Sequence, residues 1–184
     1  EHAGVVPDLV VSAKSLGAGM PISAVTGRAE IMDASHVGGV GSTYGGNPLA
    51  CRAALSAITL LRRPEMLAGA ARIEKQVRGV FEPLRGEVEA LGDVRGVGAM
   101  MVLEFVKDRE TKEPWPEIVI EMVKRSLARG VIVIRAGLHS NCLRFLPPLD
   151  IPADVLDEAL AAVASSVQEA AAALRPAAAG RARA

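Results

Sequence analysis

The stretch most informative about the fold is DLVVSAKSLGAGMP, residues 8–21. Its first six residues form a short, largely apolar run with β-branched valines, a pattern typical of a strand. Lys14 follows directly, and two glycines and a proline then interrupt any regular structure. The stretch therefore predicts a strand that ends in a lysine beside a glycine-rich turn.

Strand and helix patterns alternate along the rest of the chain. We predict further strands at 22–27, 94–106, 131–135 and 141–146, the second beginning with a turn and the third being buried. We predict helices at 28–34, 48–61, 64–91, 117–129 and 152–174. Asn47 and Pro48 mark the start of the second helix, because asparagine caps a helix and proline fits its first turn. This alternation predicts an α/β fold with helices layered over sheet.

The character of the sequence changes past Gly92, and we place a domain boundary near Pro64 to Gly92. We expect residues 1–63 to be the end of one domain and residues 64–174 to form a linking helix and a small α/β domain. Residues 175–184 are alanine, glycine, arginine and proline, and we expect a disordered tail there.

Composition excludes several classes of protein. Lysine plus arginine (21) balances aspartate plus glutamate (21), so neither nucleic acid nor an anionic membrane is expected as a partner. The two cysteines and three histidines lack metal-ligand spacing, which argues against a metal site. Apolar stretches are too short to span a membrane and no signal peptide is visible, so we expect a cytoplasmic protein. A strand beginning within eight residues of Glu1 suggests a piece of a longer polypeptide.

Lys14 is the first candidate for chemistry. A lysine at the end of an apolar strand is partly desolvated, which favours its neutral amine, and such an amine can form a Schiff base with an aldehyde. The glycines that follow leave room for a bulky ligand. On spacing alone, a lysine that merely extends to solvent at a strand end is the more common alternative.

A glycine-rich loop at 38–48 is the second candidate. Its backbone and the hydroxyls of Ser42 and Thr43 could donate hydrogen bonds to a phosphate. It is neither a P-loop nor a dinucleotide fingerprint, and a plain surface connection explains it equally well.

Arg144 is the third candidate, since it interrupts a strand of leucine and phenylalanine and needs a partner there. A carboxylate gripped by the guanidinium is the natural partner, either from an internal Asp or Glu or from a substrate. His139 lies close in sequence and could line the same pocket.

Four segments together closely resemble the class III aminotransferases, in particular the 4-aminobutyrate aminotransferases. These segments are DLVVSAKSLGAGMPISAVTGRAEIMD at 8–33, GSTYGGNPLAC at 41–51, GDVRGVGAM at 92–100 and NCLR at 141–144. The resemblance covers nearly all of the chain except the tail. It implies the C-terminal part of a fold-type I enzyme dependent on pyridoxal 5'-phosphate, in which residues 1–63 end the large cofactor-binding domain.

The resemblance also implies roles for the three candidates. Lys14 corresponds to the lysine that bears the cofactor, and Thr43 to the threonine that reaches the phosphate of the partner subunit's cofactor. Arg144 corresponds to the arginine that receives the substrate carboxylate. A homodimer with shared active sites is implied as well.

The implied reaction moves an amino group from an ω-amino acid, here expected to be 4-aminobutyrate, to a 2-oxo acid such as 2-oxoglutarate. Enzymes of the acetylornithine and ornithine type share the motifs and remain an alternative, as does a non-catalytic remnant. The family's upstream half supplies the aspartate at the pyridine nitrogen. We therefore expect these 184 residues alone to be inactive.

Overall fold

The computed structural model of the protein describes residues 2–39 and 41–174. These divide into two compact units, one extending to Pro64 and the other starting at Glu65. The tail expected at 175–184 lies outside the described residues.

The first unit contains a two-stranded antiparallel ribbon, short helices and one longer helix. In chain order these are β1 (Leu9–Ser12), a 3-10 turn (Lys14–Gly17), β2 (Ala24–Gly27), α1 (Ala29–Met32) and α2 (Pro48–Leu61). Asp8 and Arg28 close one end of the ribbon through an ion pair of 3.1 Å. The apolar side chains of both strands are exposed, and an isolated ribbon of this kind is only marginally stable in water.

Helix α2 forms where its capping residues predict. The Oδ1 atom of Asn47 accepts a hydrogen bond of 2.9 Å from the backbone N–H of Ala50, and Pro48 occupies the first turn. Its buried face consists of three alanines, Ala50, Ala54 and Ala57. The helix packs against the 3-10 turn that begins at Lys14. Small alanine side chains permit close contact between these two elements.

The second unit is a four-stranded sheet with helices. Its elements are α3 (Pro64–Glu87), β3 (Leu91–Val97), β4 (Met100–Phe105), α4 (Pro116–Ala128), β5 (Ile134–Ala136), β6 (Cys142–Phe145) and α5 (Ala153–Ala173). The strand order is β3-β4-β6-β5, and each neighbouring pair is antiparallel. The expected mixed α/β class is thereby confirmed.

One face of this sheet carries the core. Alternate residues of β4 and β6 are buried there because successive side chains of a strand point to opposite faces. The ring centroids of Phe81 on α3 and Phe145 on β6 lie 5.5 Å apart. The core continues through buried side chains of the sheet and helices: Met101, Leu103, Phe105, Ile118, Met122, Leu143 and Leu160.

The segment 91–97 corrects the prediction, because it is a strand rather than the end of a helix followed by a turn. Strand β3 pairs with β4 in a hairpin whose turn lies at Gly98 and Ala99. The glycines that suggested a turn have positive φ values, +145° at Gly96 and +59° at Gly98. Glycine adopts these angles without steric cost, so Gly96 can remain within the strand.

A distant arginine binds carbonyl groups at and just beyond the end of α3. The Nη2 group of Arg109 shares its two protons among the carbonyl oxygens of Arg85, Val88 and Leu91, and its Nε donates to that of Glu89. Carbonyls at a helix end lack hydrogen-bond donors within the helix, and the guanidinium supplies such donors. Local sequence does not reveal this cap.

The strand predicted as buried at 131–135 is also corrected. Strand β5 occupies Ile134–Ala136 at the edge of the sheet and pairs there with β6. Ile132 is 83% exposed and Ile134 54% exposed, although Val133 is buried. An edge position, which periodicity does not reveal, leaves these residues open. None of the described helices combines the length and the hydropathy that a membrane-spanning segment requires.

Candidate functional site

Lys14 lies two residues after the end of β1, at the first position of the 3-10 turn, with Ala13 between them. Its backbone has φ +54°, a left-handed conformation that is uncommon for lysine. The turn is compact, since a Cβ added at the buried Gly17 would lie 2.7 Å from Cγ2 of Ile22. The sequence segment thus folds into a strand followed at once by a tight turn that starts with the lysine.

The Lys14 side chain is exposed, contrary to the partial desolvation that we expected from its position. The ribbon beside it does not cover the Lys14 side chain, which matches the alternative of a lysine extending to solvent. Its amine forms no hydrogen bond or ion pair with any residue in the described part of the chain. Any burial of this amine must come from groups other than these residues.

The glycine-rich loop leads directly into the cap of α2. The backbone N–H of Gly45 donates to the carbonyl of Ser42 at 3.1 Å, and Asn47 Nδ2 donates to the carbonyl of Tyr44 at 3.0 Å. Thr43 lies within this turn and is exposed. Its hydroxyl has no hydrogen-bond partner among residues 2–39 and 41–174.

A cavity of about 640 Å³ lies between this loop and the segment that enters β2. Residues 21–25 form one wall, and Gly41, Ser42 and residues 44–46 form another. Thr43 and Lys14 are not among its lining residues. Both nevertheless belong to the first unit, on elements next to α2.

Arg144 lies in the second unit, on the sheet face opposite the core. It is exposed whereas its neighbours Leu143 and Phe145 are buried, so its position within an apolar strand does not bury it. Alternation along β6 is the reason, because the leucine and phenylalanine face the helices. The guanidinium has no ion pair with a described Asp or Glu, and the internal partner considered from sequence is therefore absent there.

The same sheet face carries a polar cluster that sequence reasoning missed. Nη1 of Arg95 on β3 contacts Asp93 Oδ2 at 3.1 Å and also Glu104 Oε2 on β4. Burial alone would lower the pKa of the Arg95 guanidinium, but its hydrogen bonds to Glu104 and Asp93 outweigh this and raise it. The available signal was the alternation of charged residues at 93 and 95, which we interpreted as a turn.

His139 is exposed on the connection between β5 and β6. Among the residues described, no group of three His, Cys, Asp or Glu side chains could hold a metal ion.

Comparison with known proteins supplies the family. The family model for "Aminotransferase class-III" matches residues 1–167. A 4-aminobutyrate aminotransferase from Mycobacterium leprae is 45% identical over 160 residues, which are 87% of this chain and 36% of that protein. A 5-aminovalerate aminotransferase from Pseudomonas aeruginosa is 38% identical over 169 residues, 92% of this chain and 40% of that protein.

Solved structures agree with the fold. A transaminase obtained by ancestral reconstruction matches 94% of this chain and 40% of its own, with a TM-score of 0.81 and 30% identity. The ornithine aminotransferase of Toxoplasma gondii matches 92% of this chain and 38% of its own, with a TM-score of 0.77 and 33% identity. The chain thus spans well under half the length of these relatives.

Proposed function

The chain belongs to the class III aminotransferase family, and we propose on this basis that it forms part of a pyridoxal-phosphate-dependent transaminase. The observation that carries the proposal is Lys14 at the end of β1, exposed and unpaired among the described residues, within the matched segment. In this proposal residues 1–63 end the large cofactor-binding domain and residues 64–174 form the small domain.

The residues of the first unit fit the cofactor by their chemistry. An aldehyde requires a primary amine, and Lys14 offers one that no described residue engages. A phosphate requires donors, and the Thr43 hydroxyl is similarly unengaged. A Cβ added at Gly19, Gly41 or Gly46 would meet no atom within 4 Å, so open space adjoins both the turn and the loop.

When bound, pyridoxal phosphate supplies the electron sink that stabilises negative charge on a substrate carbon. Lys14 would hold the cofactor covalently and, once its amine is released, move a proton at the substrate carbon. A neutral amine is needed for both tasks.

Thr43 would donate a hydrogen bond to a phosphate oxygen. By the family resemblance this phosphate belongs to the cofactor of the partner subunit, so we include a homodimer, located in the cytoplasm, in the proposal. Light scattering on the full-length protein tests the assembly, and a monomer with full activity would contradict it.

Arg144 would bind the carboxylate of the substrate. The support is its exposed guanidinium, which no described carboxylate neutralises, on a strand where Leu143 and Phe145 anchor the backbone in the core. A guanidinium presents two parallel N–H groups that match a carboxylate. A rigid strand would therefore present a cation at a defined position.

The proposed donor is an ω-amino acid, 4-aminobutyrate, and the proposed acceptor is 2-oxoglutarate. Relatives named 4-aminobutyrate aminotransferase, including those of Mycobacterium leprae and Escherichia coli, support this choice. The ornithine aminotransferase likeness supports the ornithine type as second candidate. A leucine/methionine racemase of Thermococcus litoralis, 44% identical over 87% of this chain, favours amino-acid racemisation as a further alternative.

Borohydride reduction tests the cofactor assignment in the full-length protein supplied with pyridoxal phosphate. Peptide mapping is expected to find the phosphopyridoxyl label on Lys14. The label should be lost in Lys14→Ala and retained in Lys75→Ala, which removes an exposed lysine from α3. A label on another residue, or none, would contradict the assignment.

Activity assays then separate the candidate reactions. Formation of glutamate from 4-aminobutyrate and 2-oxoglutarate supports the proposal. Transfer from acetylornithine or ornithine alone, or inversion of leucine without transfer, would favour an alternative.

A further inference from the structure

One cross-strand row on the open sheet face contains both arginines of interest. Arg95 on β3 lies opposite Val102 on β4, and Val102 lies opposite Arg144 on β6. The next row contains Asp93, Glu104 and Cys142, in the same strand order, where Asp93 lies opposite Glu104 and Glu104 opposite Cys142. Both carboxylates of this surface therefore stand in one row, beside both guanidinium groups.

The carboxylates are unequally shared. Nη1 of Arg95 contacts Asp93 and Glu104, whereas Arg144 contacts neither. Glu104 is a diagonal neighbour of Arg144, because it pairs with Cys142, which is two residues away along β6. Long side chains reach diagonal neighbours across a sheet. Glu104 is consequently the described carboxylate best placed to neutralise Arg144.

Two contacts hold the Glu104 carboxylate, one from Arg95 and one from Asn141. Its Oε2 atom contacts Arg95, and its Oε1 atom accepts a longer hydrogen bond of 3.4 Å from Asn141 Nδ2. The Asn141 side chain is buried and donates a stronger bond of 2.9 Å to the carbonyl of Phe105. Without Arg95, only the weak contact from Asn141 would retain the Glu104 carboxylate.

We propose that Arg95 is a positioning residue that holds Glu104 away from Arg144 and so keeps Arg144 available for a substrate carboxylate. This inference rests on the carboxylate-binding role proposed for Arg144. Arg95 itself touches no substrate in this scheme. It satisfies the two carboxylates of the sheet surface, Asp93 and Glu104, so that neither of them competes with a carboxylate ligand for the Arg144 guanidinium.

Removal of Arg95 should create an internal competitor. With Arg95→Gln, Glu104 loses its cation and turns toward Arg144, and each substrate carboxylate must then break that pair. Opposite charges at such positions attract modestly, so the KM for 2-oxoglutarate should rise about two- to fivefold. The value of kcat at saturation should stay the same, because the competition affects binding.

The decisive variant is Arg95→Gln/Glu104→Gln in the full-length enzyme. It lacks the same arginine but also lacks the competing charge, so KM should return toward the parent value. Arg95→Lys should keep the KM for 2-oxoglutarate near the parent value, since an ammonium still attracts Glu104. Arg125→Gln serves as the matched control, because Arg125 on α4 also contacts two carboxylates, Glu121 and Glu169, away from this surface.

The outcomes separate this inference from the proposed function. If Arg144→Gln raises KM and Arg95→Gln does not, or if the double variant is as impaired as Arg95→Gln, the positioning role is wrong. If Arg144→Gln leaves KM for carboxylate substrates unchanged, the role of Arg144 itself is wrong. A rise in KM for Arg95→Gln that is reversed by Glu104→Gln supports both.

Discussion

Gly96 on β3 lies against the carbonyl oxygen of Met100 on β4, with no space for a side chain between them. A Cβ at Gly96 would approach Met101 Cα to 2.8 Å and the Met100 oxygen more closely still. The backbone of Gly96 also has φ +145°, which L side chains rarely adopt. Glycine is therefore required at this point of the hairpin.

We expect Gly96→Ala to destabilise the protein by at least about 1–3 kcal/mol, because both the dihedral angle and the contact oppose a methyl group. Gly79→Ala is the matched control, since Gly79 is exposed in α3 and has nothing within 4 Å of an added Cβ. It should stabilise the helix by about 0.5–1 kcal/mol. Thermal unfolding of the full-length variants measures both, and an unchanged melting temperature for Gly96→Ala would refute the prediction.

Arg144→Ala should weaken binding of every substrate carboxylate. Loss of a charge-assisted hydrogen-bonded contact costs about 1.5–3 kcal/mol, so KM should rise about ten- to a hundredfold. Arg144→Lys should recover only part of this, because a point charge cannot reproduce the two-pronged guanidinium. Steady-state kinetics with 4-aminobutyrate and 2-oxoglutarate provide the measurement.

Melting temperature distinguishes this role of Arg144 from a structural one. The side chain is exposed and has no ion pair among the described residues, so its removal should change stability by no more than about 0.5 kcal/mol. Borohydride labelling of Lys14 should persist in the variant. A large drop in melting temperature with normal KM would show that the arginine has a structural role instead.

Glu169 on α5 forms ion pairs with Arg125 on α4 and with Arg129 at its end, and the stability that they contribute should depend on pH. Glu169 accepts hydrogen bonds from Arg125 Nη1 at 2.9 Å and Arg129 Nη2 at 2.5 Å. These bonds, that of Arg125 first, lower the pKa of the Glu169 carboxyl below its usual value. The stabilisation is therefore present above the pKa of the unfolded chain, about 4.3, and is lost as the pH falls through the lower folded value.

Glu169→Gln should accordingly melt at a lower temperature than the parent at neutral pH. The difference should shrink below about pH 4, because the parent carboxylate also loses its charge there. Glu158→Gln, an exposed position on the same helix, should show no such difference. Melting curves that differ by the same amount at pH 7 and at pH 3 would contradict the assignment.

The helices with local signals were predictable from the sequence. Asn47 followed by Pro48 marks the start of α2, and the structure places the cap there because both effects act within one turn. The family segments around Lys14 and Arg144 were also recognisable, as the family match confirms. The catalytic roles of these residues stay predictions.

Other features depend on partners far along the chain. Arg109 binds carbonyls at the end of α3 from more than twenty residues beyond it, and β3 pairs with β4 as a strand despite its glycines. The exposure of Arg144 follows from which face of β6 meets the helices. A one-dimensional pattern contains no information about which segment will supply such a contact.

The sequence by itself therefore determined the family, the alternation of helix and strand, and the lysine at a strand end. Short-range capping, side-chain periodicity and motif order depend on residues that are close together along the chain. Only the tertiary structure decided that Arg95, and not Arg144, takes the carboxylates of Asp93 and Glu104. The reason is physical: strand order and register bring these charges together across three strands, and the pairing of charges depends on distances in space.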